Sequence, residues 1–232
     1  MNRGARWKGF KKGIKRWVLL KDNDGVIAVY LAAGKSRRMG VNKLALPWGQ
    51  KTVGNSALVK AVNSKLDYTI VVTREVDTLN WIDGTLFSPS LRERWKALRC
   101  RDADKGQAHS LQCGLLAAME MEPKGIMILL ADQPLLPVGI INDLVIRYLK
   151  VHQENKNVPF IAASFQGIPR PPIIFSPKVV PDLLKLEGDE GARQLFKKEK
   201  LTGILVNYEN GWDFFDVDTK DEYEWLKGCG RE

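Results

Sequence analysis

The chain has 232 residues, with 36 Lys and Arg against 27 Asp and Glu and a formal charge of +9. The first 21 residues hold eight of those bases and no acid, leaving a nearly neutral remainder of 28 bases against 27 acids; the charge is read as a disordered basic tail, which excludes the distributed basic face of a nucleic-acid binder. With 44% hydrophobic and 9% aromatic residues the remainder, 22–232, has ample material for one folded domain, and no apolar run approaches the ~18 residues of a membrane span.

Cys100, Cys113 and Cys229 are odd in number and widely spaced, so they form neither a disulfide framework nor a zinc site, and a reducing cytoplasm is the expected setting. From residue 26 onward, short apolar runs alternate with helical stretches. That pattern predicts βαβ units in an α/β three-layer sandwich with a mainly parallel sheet.

VIAVYLAA (26–33) is a continuous apolar run ending at Gly34, as a buried central strand does. The loop that follows carries Gly34, Ser36 and Gly40 among Lys35, Arg37, Arg38 and Lys43: small residues let backbone N–H groups approach an anion, and the bases supply charge. It is a phosphate-type loop but not a Walker A motif, because Gly34-Lys35-Ser36 has Val29 where that motif requires a Gly five residues before Gly34, and not a dinucleotide fingerprint, because no GxGxxG occurs. Thr52 caps a helix running to about Val62, and YTIVVT (68–73) is the second strand. The interval 76–101 carries no clear period. A helix over 104–121 presents Leu111, Leu115 and Met119 at helical spacing, and His109 is read as one of its surface residues.

GIMILLADQP (125–134) is a third strand, which brings Asp132 to the carboxyl edge of the sheet beside the first loop. A helix over 138–151 and a strand over 160–165 follow. GIPRPPIIF (167–175) has the proline density of an extended loop. GDEGAR (188–193) opens a helix near 191–198, then come a strand over 202–208 and a closing helix over 219–227. Just before that last helix, DVDT supplies Asp216 and Asp218, and Asp218 is in position to cap it. One or two carboxylates completed by water and phosphate oxygens are what Mg²⁺ accepts, so the acids and the phosphate loop together point to a magnesium–nucleotide site.

LAAGxSxRMGxxK, met here by Leu31, Ala32, Ala33, Gly34, Ser36, Arg38, Met39, Gly40 and Lys43, resembles the signature of the molybdenum cofactor cytidylyltransferase-like nucleotidyltransferases, a group with a Rossmann-like, glycosyltransferase-A-type fold. LALPWGQKT continues that block, and five further blocks follow in the family's order: GQAHSLQCGL, LLADQP, GIPRPPIIF, GDEGAR and DVDT. The resemblance implies that CMP passes from CTP to molybdopterin, with release of pyrophosphate, for a molybdenum hydroxylase client such as xanthine dehydrogenase. CTP is preferred over GTP because guanylyl-transferring relatives usually carry GG rather than the AAG of Ala32, Ala33 and Gly34 in the first loop. The family's pattern assigns Arg38 and Lys43 to the triphosphate, Asp132 with Asp216 or Asp218 to Mg²⁺, the backbone of 31–36 to nucleoside and phosphates, and Gly106 and Ser110 to the base. Arg170 stands where relatives commonly have Gly. Two alternatives are a cytidylyl- or uridylyltransferase acting on a sugar or polyol phosphate, and a non-catalytic protein that delivers the finished cofactor.

Overall fold

The computed structural model describes residues 25–154, 157–192 and 201–229. The basic segment 1–21 and most of the helix expected near 191–198 lie outside the described residues. Among the described residues nine strands and four longer helices succeed one another: β1 Val26–Leu31, β2 Pro47–Trp48, β3 Lys51–Thr52, α1 Val53–Val62, β4 Tyr68–Arg74, β5 Trp95–Cys100, α2 Gln107–Met119, β6 Gly125–Leu130, α3 Val138–Gln153, β7 Phe160–Phe165, β8 Ile168–Phe175, β9 Ile204–Asn207 and α4 Lys220–Cys229.

Seven strands form one sheet in the order β5-β4-β1-β6-β8-β7-β9, with only β8 running against the rest, while β2 and β3 pair as a small hairpin. Alternate side chains of β1 divide between two cores: Val26, Ala28 and Tyr30 pack with Leu58 of α1 and Leu144 of α3, and Ile27 and Val29 pack with Leu111 and Leu115 of α2. This period of two, buried on both faces, is why the central strands read as unbroken apolar runs. On the second face Gly114 lets α2 lie close against the sheet, since a Cβ there would run into the side chains of Val29 and Val72.

Two readings of the sequence are corrected. The unreadable interval 76–101 contains β5, an edge strand whose buried Trp95, Leu98 and Cys100 are separated by half-buried and exposed positions; Trp95 is fully buried and donates its indole N–H to the carbonyl oxygen of Leu86 at 2.8 Å. Residues 168–175, expected as a loop, form β8. Its prolines are tolerated because only Ile173–Phe175 pair with β6, and because the ladder with β7 breaks its register between Ala162 and Ala163; Pro169, Pro171 and Pro172 therefore lie outside the ladder that β6 completes.

Candidate active site

The carboxyl ends of β1 and β6 are neighbours at the point where the sheet order reverses, because the chain leaves β1 toward β4 and β5 and returns as β6 on the other side of β1. Loops diverging from such a point leave a crevice, and ligands of open α/β sheets bind there. Here it is a cleft of about 480 Å³, lined by Leu31, Ala32, Ala33, Gly34, Lys35, Ser36, Arg38, Lys43, Gly106, Ser110, Asp132, Asp216 and Asp218. Gly40 does not line it. At φ +71° it closes the turn beneath the loop, where the N–H groups of Met39 and Gly40 donate to the carbonyl of Ser36 at 3.0 and 3.2 Å.

Met39 is 3% exposed and anchors that turn in the core, while Ser36 takes φ +49° and accepts a hydrogen bond from the Lys43 N–H through Oγ at 3.2 Å. These internal contacts hold the loop's shape. Across the cleft, Lys35 donates to the carbonyl oxygen of Asp104 at 2.7 Å and lies 3.5 Å from its carboxylate, tying the first loop to the approach to α2. Asp104, Lys105, Gln107 and Asp189 also line the cleft and escaped the sequence reading; the signal for the first three is their adjacency to Gly106. His109, expected at the surface, is half-buried and outside the lining.

The centre of the cleft is Lys43. Its ammonium donates to Asp132 Oδ2 at 2.6 Å and to Asp218 Oδ1 at 2.8 Å, and its side chain is only 8% exposed. Arg38 donates to the other oxygen of Asp218 at 2.9 Å from a more exposed position. Asp132 arrives at the end of β6, and the carbonyl of the same residue accepts from the N–H of Val217 at 2.9 Å, which docks the DVDT segment on the strand end. In that extended segment Phe215 and Val217 turn to a small core with Val53 and Leu226, and the alternate residues, Asp216 and Asp218, line the cleft.

Asp218 does not cap α4, as its position had led us to expect. Thr219 does: its hydroxyl accepts from the Glu222 N–H at 3.3 Å, and Glu222 Oε2 accepts from the N–H groups of Asp218 and Thr219 at 2.8 and 2.7 Å. This capping box satisfies the helix's first donors and leaves the Asp218 carboxylate to Lys43 and Arg38.

Burial by itself would lower the Lys43 pKa, but the charges of and hydrogen bonds to Asp132 and Asp218 outweigh it and raise the value. For Asp218 burial pushes upward, and Lys43 and Arg38 overcome it, so its pKa is lowered. The depressed carboxylate contributes stability above its unfolded pKa of about 4 and loses it as pH falls through the folded value; the raised ammonium contributes below about 10.4 and loses it as pH rises beyond. Chemical denaturation across the pH range is therefore expected to show a steeper acid limb in the wild type than in Asp218→Asn. Identical limbs would show that the pairing contributes nothing.

Asp132 Oδ1 is buried and has no hydrogen-bond partner, and no group of three or more His, Cys, Asp or Glu able to hold a metal occurs among the described residues. A pair of hard carboxylates with one unsatisfied buried oxygen suits Mg²⁺ or Mn²⁺ held jointly by protein and phosphate, rather than a closed all-protein cage. Among the described residues no helix is long and apolar enough to cross a membrane.

Residues 28–203 match the family model of the MobA-like NTP transferase domain. The chain is 42% identical over 204 residues to the purine catabolism protein PucB of Bacillus subtilis (strain 168), covering 87% of this chain and 96% of that protein. In solved structures it resembles Rv0371c from Mycobacterium tuberculosis H37Rv, with a TM-score of 0.66 at 23% identity over 88% of this chain and 98% of that one. The fold is also that of molybdopterin-guanine dinucleotide biosynthesis protein A from Archaeoglobus fulgidus, with a TM-score of 0.61 at 15% identity over 88% of this chain and 97% of that one.

Proposed function

Since the chain belongs to the MobA-like NTP transferase family and is a nucleotidyltransferase, we propose that it moves CMP from CTP onto the terminal phosphate of molybdopterin for a molybdenum hydroxylase such as xanthine dehydrogenase. The observation that carries this reading is the convergence of the phosphate-type loop and the carboxylates of Asp132 and Asp218 on the single ammonium of Lys43. The PucB relative is a purine catabolism protein, and xanthine is a purine, so the client agrees with that relative's role.

In the reaction a phosphate oxygen of the acceptor attacks the α-phosphorus of CTP in line. A new P–O bond forms as the bond from the α-phosphorus to the bridging oxygen of the β-phosphate breaks, and pyrophosphate leaves with that electron pair. The protein's part is positioning and charge neutralisation. Lys43 and Arg38 offset the charge on the triphosphate and on the α-phosphoryl group, and backbone N–H groups of Gly34 to Ser36 bind its oxygens. The backbone of Leu31 to Ala33 frames the nucleoside, while Gly106 and Ser110 meet the base. Asp132 and Asp218 would hold Mg²⁺, with Asp216 beside them, and the ion would supply further neutralisation of the phosphate oxygens. Rv0371c has a structure in complex with manganese, which supports a divalent ion in this fold.

Arg170 supports an anionic acceptor. As β8 is antiparallel to β6, its first residues lie at the same edge of the sheet as Asp132, and Arg170 there is half-buried, its Nε buried without a hydrogen-bond partner. A guanidinium left so is poised for a phosphate or carboxylate.

The test is pyrophosphate release from each of the four nucleoside triphosphates with molybdopterin or a sugar phosphate as acceptor. Release with CTP and molybdopterin is expected, and Arg170→Gln should raise the KM for the acceptor about tenfold while leaving that for CTP unchanged. Release with a sugar phosphate but not molybdopterin would overturn the choice of acceptor.

A further inference from the structure

We propose that Lys43 is an internal competitor of the divalent cation, so that the metal binds Asp132 and Asp218 tightly only when a nucleoside triphosphate offers the lysine another partner. The inference rests on the proposed reading of those two acids as metal ligands. Its ground is that the ammonium uses the same carboxylates. Nζ lies 2.6 Å from Asp132 Oδ2 and 2.8 Å from Asp218 Oδ1, and the residue is 7% exposed.

The two acids lie 89 and 175 residues along the chain from Lys43, so the fold builds the pairing deliberately out of three separate elements. The lysine backbone is fixed as well, since its N–H is bound to Ser36 Oγ at 3.2 Å and its neighbour Leu44 is buried in the core. Only the four-carbon stem is free to swing. A lone metal ion can reach Asp132 through the unpartnered Oδ1, but both oxygens of Asp218 are engaged, by Lys43 and Arg38, so an ion that joins the two acids must displace one of those cations and sit beside the buried ammonium with no new anion to receive it. Both costs are electrostatic and both are large where water is scarce.

A triphosphate removes both. It brings several negative oxygens to the loop that carries Lys43, gives the ammonium a replacement partner, and frees the acids for the ion that accompanies the phosphates. Metal and nucleotide then bind with positive coupling that exceeds their association in solution, and each raises the affinity for the other by the same factor. Arg38 cannot play the same part, because its side chain is 68% exposed and engages only Asp218.

The experiment measures Mn²⁺ binding to the full chain by electron paramagnetic resonance, first without nucleotide. Lys43→Gln is expected to bind Mn²⁺ at least about tenfold more tightly than the wild type, and Lys43→Arg to remain as weak as the wild type. Lys43→Met serves as a second neutral variant should Lys43→Gln fail to fold, and circular dichroism checks each protein. Thermal melting gives an independent readout: Mn²⁺ should raise the melting temperature of a neutral variant, in which Asp132 has lost its cation and Asp218 keeps only the exposed Arg38, more than that of the wild type. Equal Mn²⁺ affinity in wild type and neutral variants overturns the competition while leaving the metal reading intact. If neither the wild type nor a folded neutral variant binds Mn²⁺ even with a non-hydrolysable CTP analogue present, beyond what the analogue binds in solution, both readings fail together.

Discussion

Asp132→Asn is expected to lower kcat for pyrophosphate release by roughly 10²–10³-fold, the loss typical when one fixed electrostatic group is removed from a reacting centre. The substitution keeps the shape of the side chain and removes only its charge. With it go one of the two counter-charges of Lys43 and the carboxylate whose second oxygen, Oδ1, is buried without a partner. Asp218 still engages the lysine from the other side, so the buried ammonium is not orphaned and the stability cost should stay near 1–3 kcal/mol. The Asp132 backbone carbonyl, which receives the Val217 N–H at 2.9 Å, is untouched, so the DVDT segment remains docked. Steady-state kinetics at saturating CTP, paired with a melting curve, separates lost chemistry from lost fold. A variant with activity within a few-fold of the wild type would remove Asp132 from the reacting centre.

Gly106→Val is expected to destabilise the fold by about 3 kcal/mol and to raise the KM for CTP, because two independent obstacles meet at one residue. Gly106 precedes α2 with φ +136° and ψ 169°, a conformation that is essentially confined to glycine. A Cβ there would also collide with the backbone carbonyl of Gly188, which cannot retreat freely because it accepts the Ala108 N–H at 3.0 Å. The contact joins two blocks that are 82 residues apart and that both border the cleft, through Gly106 and Asp189. Urea denaturation measures the loss directly. Gly34→Ala is the control, since a Cβ at Gly34 meets nothing within 4 Å and its φ is ordinary; there stability should hold while nucleotide affinity changes. A Gly106→Val chain as stable as the wild type would mean that the 188 loop moves aside at no cost.

Both effects arise where residues distant in the chain meet, and that is also where the sequence stops being informative. β1, β4, β6 and β7 were legible as apolar runs because each is buried on both faces, so burial writes itself into consecutive residues. The phosphate-type loop was legible because close approach to an anion demands small residues and bases at short range. β5 was not, since an edge strand interleaves exposed and buried positions. β8 was hidden by prolines whose missing donors matter only if a neighbouring strand needs them, and the ladder with β6 begins just beyond them, at Ile173.

By itself, then, the sequence determined the α/β class, the order of the motif blocks and the set of small, basic and acidic residues that the cleft draws upon. It left open which of Asp216 and Asp218 faces a metal, and offered Asp218 as the helix cap. Thr219-x-x-Glu222 is itself a local capping signature that the sequence carried; only the tertiary structure decided that Asp218 pairs with Lys43 and Arg38, and that Lys43 bridges acids from two remote elements. The physical reason is range: helix and strand periodicities are set by neighbours a few residues apart, whereas which charges become partners depends on the order of strands across the sheet and on the register that brings the ends of β1 and β6 together.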